Sequence, residues 1–163
     1  MSIDQTKPGT KPETNTRALK RYEPFADRLI LLRHQDKRPL NRDWPNERNS
    51  FADAEDHMKR GFNVGFRLGK GIAVLDYDRA RDRMRDDPVQ NSLARLCRYT
   101  GIDLANAECV ETGNGVHVYI TIEDGSDHAE RHPHYPGVEY KGAGRYVVCA
   151  GSRHPSGKVY QWK

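Results

Sequence analysis

The chain has 163 residues, 36% hydrophobic, 9% aromatic and 31% charged. That length supports one core rather than two, and the composition predicts a globular fold with an unusually polar surface. Lys and Arg number 27 against 23 acids, a formal charge of +4, compatible with a polyanionic partner and equally ordinary for solubility.

No run of eighteen apolar residues and no hydrophobic secretory segment occurs, so the reading is an intracellular chain with no membrane partner. Cys97, Cys109 and Cys149 are odd in number and set in apolar surroundings, which favours buried free thiols over a disulfide or a cysteine metal site.

Residues 1 to 16 mix Thr, Lys, Pro, Gly and Glu without hydrophobic period and read as a flexible N-terminal tail, leaving 17–163 as a single domain. Ala18, Leu19 and Tyr22 suit a short helix interrupted by Pro24, and Leu29 to Leu32 suit a brief buried strand. In 34-HQDKRPLNRDWPNERNS-50, Lys37, Arg38 and Arg42 form either a solvated surface or one wall of a phosphate-binding groove. Trp44 reads as a lid on the core in preference to a base-stacking platform. Ser50 with Asp53 at N3 predicts a helix running to Arg60 and stopped by Gly61.

Asn63 to Leu68 alternates as a strand, and a Gly-Lys-Gly turn leads into 71-GIAVLDYDRA-80, which predicts a hairpin. Asp87, Pro88 and Gln90 mark a second helix start, with Val89, Leu93, Leu96 and Cys97 on its buried face and Gly101 ending it. In 116-VHVYITIE-123 the aliphatic residues share one face while His117, Tyr119 and Thr121 share the other. Residues 137-GVEYKGAGRYVVCAGS-152 suggest two strands joined by a glycine turn, and a last short element closes the chain. Helices inserted among several strands predict an α+β fold.

Alternate strand residues lie about 6.6 Å apart on one face, so Asp76 and Asp78 project together, with Tyr77 on the other side. Two carboxylates so placed repel unless a cation stands between them. They form either an oxygen-ligand site for magnesium or manganese, or the start of a solvated turn with Arg79 and Arg81. His117, after the turn 112-TGNG-115, suits a hydrogen bond to phosphate or proton transfer, or else covers a sheet edge. Glu139 and Lys141 share a strand face, the acid suited to a metal and the base to a phosphate, with a surface ion pair as the alternative. Ser152, Arg153, His154 and Lys158 sit among glycines in a turn suited to a triphosphate or nucleic-acid backbone, or in an ordinary exposed hairpin. His128, His132 and His134 lie in a proline-containing loop without paired cysteines, so a solvated linker is favoured over zinc.

The stretches 36-DKRPLNRDW-44, 61-GFNVGFRLGKGIAVLDYD-78, 112-TGNGVHVYI-120 and 138-VEYKGAGRYVVCAGSRHPSGKVYQW-162 occur in one order across most of residues 18 to 162. In that order the sequence resembles the bifunctional DNA primase/polymerase (prim-pol) domain of the archaeo-eukaryotic primase superfamily, found in the replication proteins of mobile elements. The resemblance implies a compact primase-polymerase core with a mainly antiparallel or mixed sheet, containing an RRM-like element, flanked by helices. It implies catalytic roles for Asp76, Asp78, His117 and Glu139. The two catalytic metals, magnesium or manganese, fall to Asp76, Asp78 and Glu139, where Glu139 stands in place of the usual aspartate. It further implies contacts to nucleoside triphosphates from His117, Lys141, Ser152, Arg153 and His154.

The implied reaction is template-directed nucleotidyl transfer, as DNA primase and/or DNA polymerase, on a single-stranded DNA template or primer-template duplex. A replicative helicase or other replication proteins are candidate further partners. The alternative is a non-catalytic single-stranded nucleic-acid-binding replication accessory; a nuclease or nucleotide phosphohydrolase is a third reading of the same carboxylates.

Overall fold

The computed structural model describes residues 12–123 and 130–163. Its order is α1 (Pro12–Leu19), a 3-10 segment (Lys20–Arg28), β1 (Leu29–Leu31), α2 (Phe51–Lys59), β2 (Val64–Arg67), β3 (Ile72–Asp78), a 3-10 turn (Arg79–Arg81) and α3 (Ser92–Thr100). There follow β4 (Cys109–Glu111), β5 (Gly115–Thr121), β6 (Glu130–Arg131), β7 (Val138–Lys141), β8 (Tyr146–Val148) and β9 (Gln161–Trp162). The fold is mixed α+β with antiparallel sheets flanked by helices, as the interleaved strand and helix patterns predicted.

The strands form two sheets, a three-stranded one in the order β1-β2-β8 and a six-stranded one in the order β6-β7-β3-β5-β4-β9. β3 and β4 both pair antiparallel with β5, which lies between them. They therefore run parallel, and the chain joins them through α3 as a split βαβ unit.

Alternation along β3 divides its residues between two environments. Leu75 and Tyr77 join Val116, Val118 and Val138 in a core closed by Leu93 and Cys97 of α3. On the opposite face Val74, with Val110 of β4, is covered by Phe66, Val147 and neighbouring residues of the three-stranded sheet. That cover ends before Asp76 and Asp78, which is why the front face of the strand changes there from aliphatic to acidic.

The expected hairpin of β2 and β3 stops at its turn, where Gly69 and Ile72 exchange backbone hydrogen bonds at 2.9 and 3.1 Å, while the two strands expected within 137–152 form on either side of their glycine turn. β2 and β3 lie in different sheets, as do β7 and β8. Beyond each glycine turn the chain has crossed from one sheet to the other. The two crossovers touch: the Leu68 N–H donates to the Arg145 carbonyl at 2.9 Å, and a Cβ on Gly69 would stand 3.0 Å from that of Ala143.

The helix start at Ser50 forms as predicted, with Ser50 and Asp53 capping each other reciprocally. The second helix starts later than expected. Asp87 accepts from the N–H groups of Val89 and Gln90, but it caps only a turn; Asn91 is the N-cap of α3, and Val89 is exposed. α1 begins inside the segment read as a tail, and Thr16 is buried; residues 1–11 lie outside the described residues. Trp44 packs edge-on against Tyr146, with centroids 4.8 Å apart, as a lid. All three cysteines are buried free thiols.

Asp82, 2% exposed, ties β3 to α3. It accepts from the Tyr77 hydroxyl at 2.8 Å, the Ser92 N–H at 2.6 Å and the Met84 N–H at 2.9 Å. Burial pushes this carboxyl up, but those donors outweigh it and hold it below the usual range. Replacing Asp82 with Ala leaves two buried donors and a part-buried one unpaired, so thermal unfolding should show a loss of about 3 kcal/mol, roughly 10 °C in Tm for a chain of this size. An unchanged Tm would exclude this role for Asp82.

Candidate active site

Asp76 stands directly opposite His117 of β5 and also opposite Glu139 of β7. Residues so paired point to the same face of an antiparallel sheet, so three adjacent strands bring these side chains together. They line a cavity of about 760 Å³ with Asp78, Lys37, Lys141 and Arg131.

Two glycines let the strands and turns approach one another here. A Cβ on Gly115 would lie 1.7 Å from the Tyr77 carbonyl oxygen, so only glycine allows β5 to run against the end of β3. At Gly113 a Cβ would lie 2.2 Å from the His154 ring, which rests on the turn. The glycines of TGNG thus bring His154 and Asp78 to the same cavity wall.

Each carboxylate already faces a base. Lys141 Nζ donates to Asp76 Oδ2 at 2.6 Å. Arg131 of β6 donates through Nε at 3.1 Å and Nη2 at 2.9 Å to Glu139 Oε2. Asp78 Oδ1 accepts from the Ala80 N–H at 3.0 Å and Asn114 Nδ2 at 2.9 Å, and Arg81 Nε stands 3.4 Å from Oδ2. Burial raises the Asp76 carboxyl, and the charges of protonated His117 and of Lys141 more than reverse this, leaving it below the ordinary carboxylate value.

His117 is 5% exposed. Its Nε2 lies 3.6 Å from Asp76 Oδ1, and its Nδ1 is buried with no hydrogen-bond partner among the described residues. Burial pushes its pKa down to about 4, against the pull of Asp76 and with help from Lys141 and Lys37. At neutral pH the imidazole is therefore uncharged, and Lys141 is the counter-charge of Asp76. Tyr160 flanks the ring at 5.9 Å.

Other sequence candidates separate here. His154 lines the cavity, its Nδ1 hydrogen-bonded to Ser156. Ser152 does not reach it: the side chain is 1% exposed and exchanges hydrogen bonds with the backbone of Val64. Arg153 is turned aside, its Nη1 donating to the Gly157 carbonyl at 2.9 Å. These two read as phosphate contacts because a polar glycine turn looks the same whether its side chains face solvent or anchor β2. His132 is on the rim, and His128 lies outside the described residues.

Arg131 and Tyr160 were missed as site residues. Nothing in their own neighbourhoods marks them; their place depends on β6 pairing with β7 and on how the final turn folds back.

Asp76, Asp78 and Glu139 offer oxygen ligands of the kind that magnesium and manganese prefer. Among the described residues no three Asp, Glu, His or Cys side chains stand close enough together to hold an ion. The donor type fits, and as the three carboxylates stand their partners are Lys141, Arg81 and Arg131.

Residues 23–163 match the family described as Prim-Pol, bifunctional DNA primase/polymerase, N-terminal. The chain belongs to that family. Comparison with curated proteins returned no match.

The uncharged state of His117 has a consequence for stability. Its folded pKa lies below the ordinary 6.5, so between those values the unfolded chain binds the proton and the folded chain does not. Stability is therefore full above about pH 6.5 and is lost as pH falls towards 4, by roughly 3 kcal/mol for His117. His57, also buried and also lowered by burial, adds in the same direction. Urea unfolding should show this fall, and His117→Gln should flatten it; an equally steep dependence in that variant would rule out a buried neutral His117.

Proposed function

We propose that this member of the Prim-Pol family is a template-directed nucleotidyltransferase, a DNA primase and/or DNA polymerase, working at the cavity around Asp76. The observation that carries the reading is the double register that sets Asp76 opposite both His117 and Glu139, with Asp78 at the end of the same strand. The split βαβ unit and the central order β7-β3-β5-β4 support reading the platform as an RRM-like element.

The reaction forms a bond between a 3'-oxygen and the α-phosphorus of a nucleoside triphosphate and breaks the bond to pyrophosphate. Magnesium or manganese, held by Asp76, Asp78 and Glu139, would lower the pKa of the attacking hydroxyl and neutralise the leaving pyrophosphate. Lys141 and Lys37 present ammonium charge to the triphosphate oxygens. His117, neutral at pH 7, gives phosphate a hydrogen bond from a ring nitrogen without adding charge to the cluster. His154, which lines the same cavity, serves the same phosphates. Arg131 orients Glu139, whose extra methylene relative to aspartate would otherwise leave the carboxylate free to swing. The substrates are nucleoside triphosphates and a single-stranded template or primer-template duplex, in a replication setting that includes a helicase or other replication proteins.

One observation favours a second reading, a non-catalytic strand-binding accessory: Lys141, Arg131 and Arg81 already stand against all three carboxylates. Labelled nucleotides offered on primed and unprimed templates with magnesium or manganese decide between them. Incorporation is expected, and Asp76→Asn or Glu139→Gln should cut it roughly 10²- to 10³-fold with the circular dichroism spectrum unchanged. Salt-dependent strand binding with no incorporation under any metal, sugar or primer condition would select the accessory reading.

A further inference from the structure

The two crossovers between the sheets do more than connect strands. The first, Gly69-Lys70-Gly71, has positive φ at all three residues, +112°, +49° and +84°. Lysine in this left-handed region costs conformational energy that a glycine would not. The strained turn holds Lys70 at an exposed tip beside Arg145, at the end of the second crossover.

These two side chains, with Arg28, Arg48 and Arg67, line a pocket of about 220 Å³ whose wall contains no carboxylate. Three of the five cations are fixed by main-chain carbonyls. Arg28 donates to those of Arg67 and Gly69, Arg67 to those of Trp44, Pro45, Glu47 and Asp27, and Arg48 to those of Pro45 and Glu47. Carbonyl oxygens orient a guanidinium without neutralising it. Among the described residues none of the five has an ion-paired carboxylate. Burial and the charge of Arg48 lower the Arg67 guanidinium, and Asp27 and Glu47 act against them without standing in ion-pair contact.

The pocket also continues from the carboxylate cavity. A side cavity of about 340 Å³ shares Asp76, His117, Glu139 and Lys141 with the main one, and shares Trp44, Gly144 and Arg145 with the basic pocket. From Asp76 a groove therefore passes over Trp44 and Arg145 and ends among pre-positioned cations that have no ion-paired carboxylate among the described residues. Such a site takes a tetrahedral anion, since guanidinium charge held in place by carbonyls, with the exposed Lys70 and Arg145 side chains as donors, meets phosphate oxygens with little further ordering.

We infer that the pocket of Arg28, Arg48, Arg67, Lys70 and Arg145 binds a backbone phosphate of the nucleic-acid strand engaged at the carboxylate cavity. The path of the strand rests on the proposed polymerase reading; the binding itself does not depend on catalysis.

The test uses the full chain, short fluorescent single strands of differing sequence, and chelator to suppress any reaction. Lys70→Gln/Arg145→Gln removes two exposed side chains that make no hydrogen bond among the described residues, and thermal unfolding checks that the fold is kept. Anisotropy titrations should show about tenfold weaker binding, uniform across sequences. The salt slope should be shallower by about 0.7, the share of one phosphate on a single strand. Lys59→Gln/Arg60→Gln loses the same charge from α2, outside all three cavities, and should leave affinity and slope within about twofold. Equal affinity and slope in the pocket variant, or an equal loss in the α2 variant, would overturn the assignment. So would normal strand binding with weakened binding of a labelled triphosphate, which would give the pocket to the free nucleotide. Failure of the polymerase reading would appear separately, as absent incorporation by the unaltered chain.

Discussion

Pairing of β3 with β5 on one side and with β7 on the other sets Asp76 opposite His117 and Glu139 at once, and the rest of the cavity follows from that double register. A one-residue slip on either side would turn Asp76 towards the α3 core and bring Leu75 or Tyr77 to the cavity. Aliphatic burial opposes the slip, because Leu75, Val118 and Val138 are buried against α3. The hydrophobic back of the sheet thus fixes the polar front.

Acidic side chains gathered in this way must be compensated before they can sit in a folded chain. The protein does so from within, pairing Asp76 with Lys141 and Glu139 with Arg131. A half-buried ion pair contributes little net stability, since desolvation offsets most of the attraction. What the pairs supply is placement: basic side chains suited to phosphate are held beside carboxylates suited to a metal. His117 stays neutral in the same cluster, so the local charge is decided by carboxylates against lysine and arginine alone.

The two crossovers give the site its second dimension. Had the glycine turns closed hairpins, a single continuous sheet would have resulted, with Asp76 on an open face. Because one turn leaves the three-stranded sheet and the other returns to it, that sheet covers Val74 and stops short of Asp76, and a cavity remains. The same turns carry Lys70 and Arg145 to the far end of the groove.

Local alternation was enough to place Asp76 with Asp78, His117 with Tyr119, and Glu139 with Lys141 on shared strand faces, because side-chain direction in a strand repeats every two residues whatever the partner. Capping at Ser50 and the α+β class were legible for the same local reason. Asp87 misled because a capping aspartate followed by proline suits a turn as well as a helix. The convergence of Asp76, His117 and Glu139 was implied by family resemblance, and the strand pairing supplied its register. Arg131, the burial of Ser152, the turning aside of Arg153 and the basic pocket depend on which strands become neighbours and which turns change sheets. Those outcomes are settled by the packing of distant apolar faces, a non-local energy that no short stretch of sequence contains.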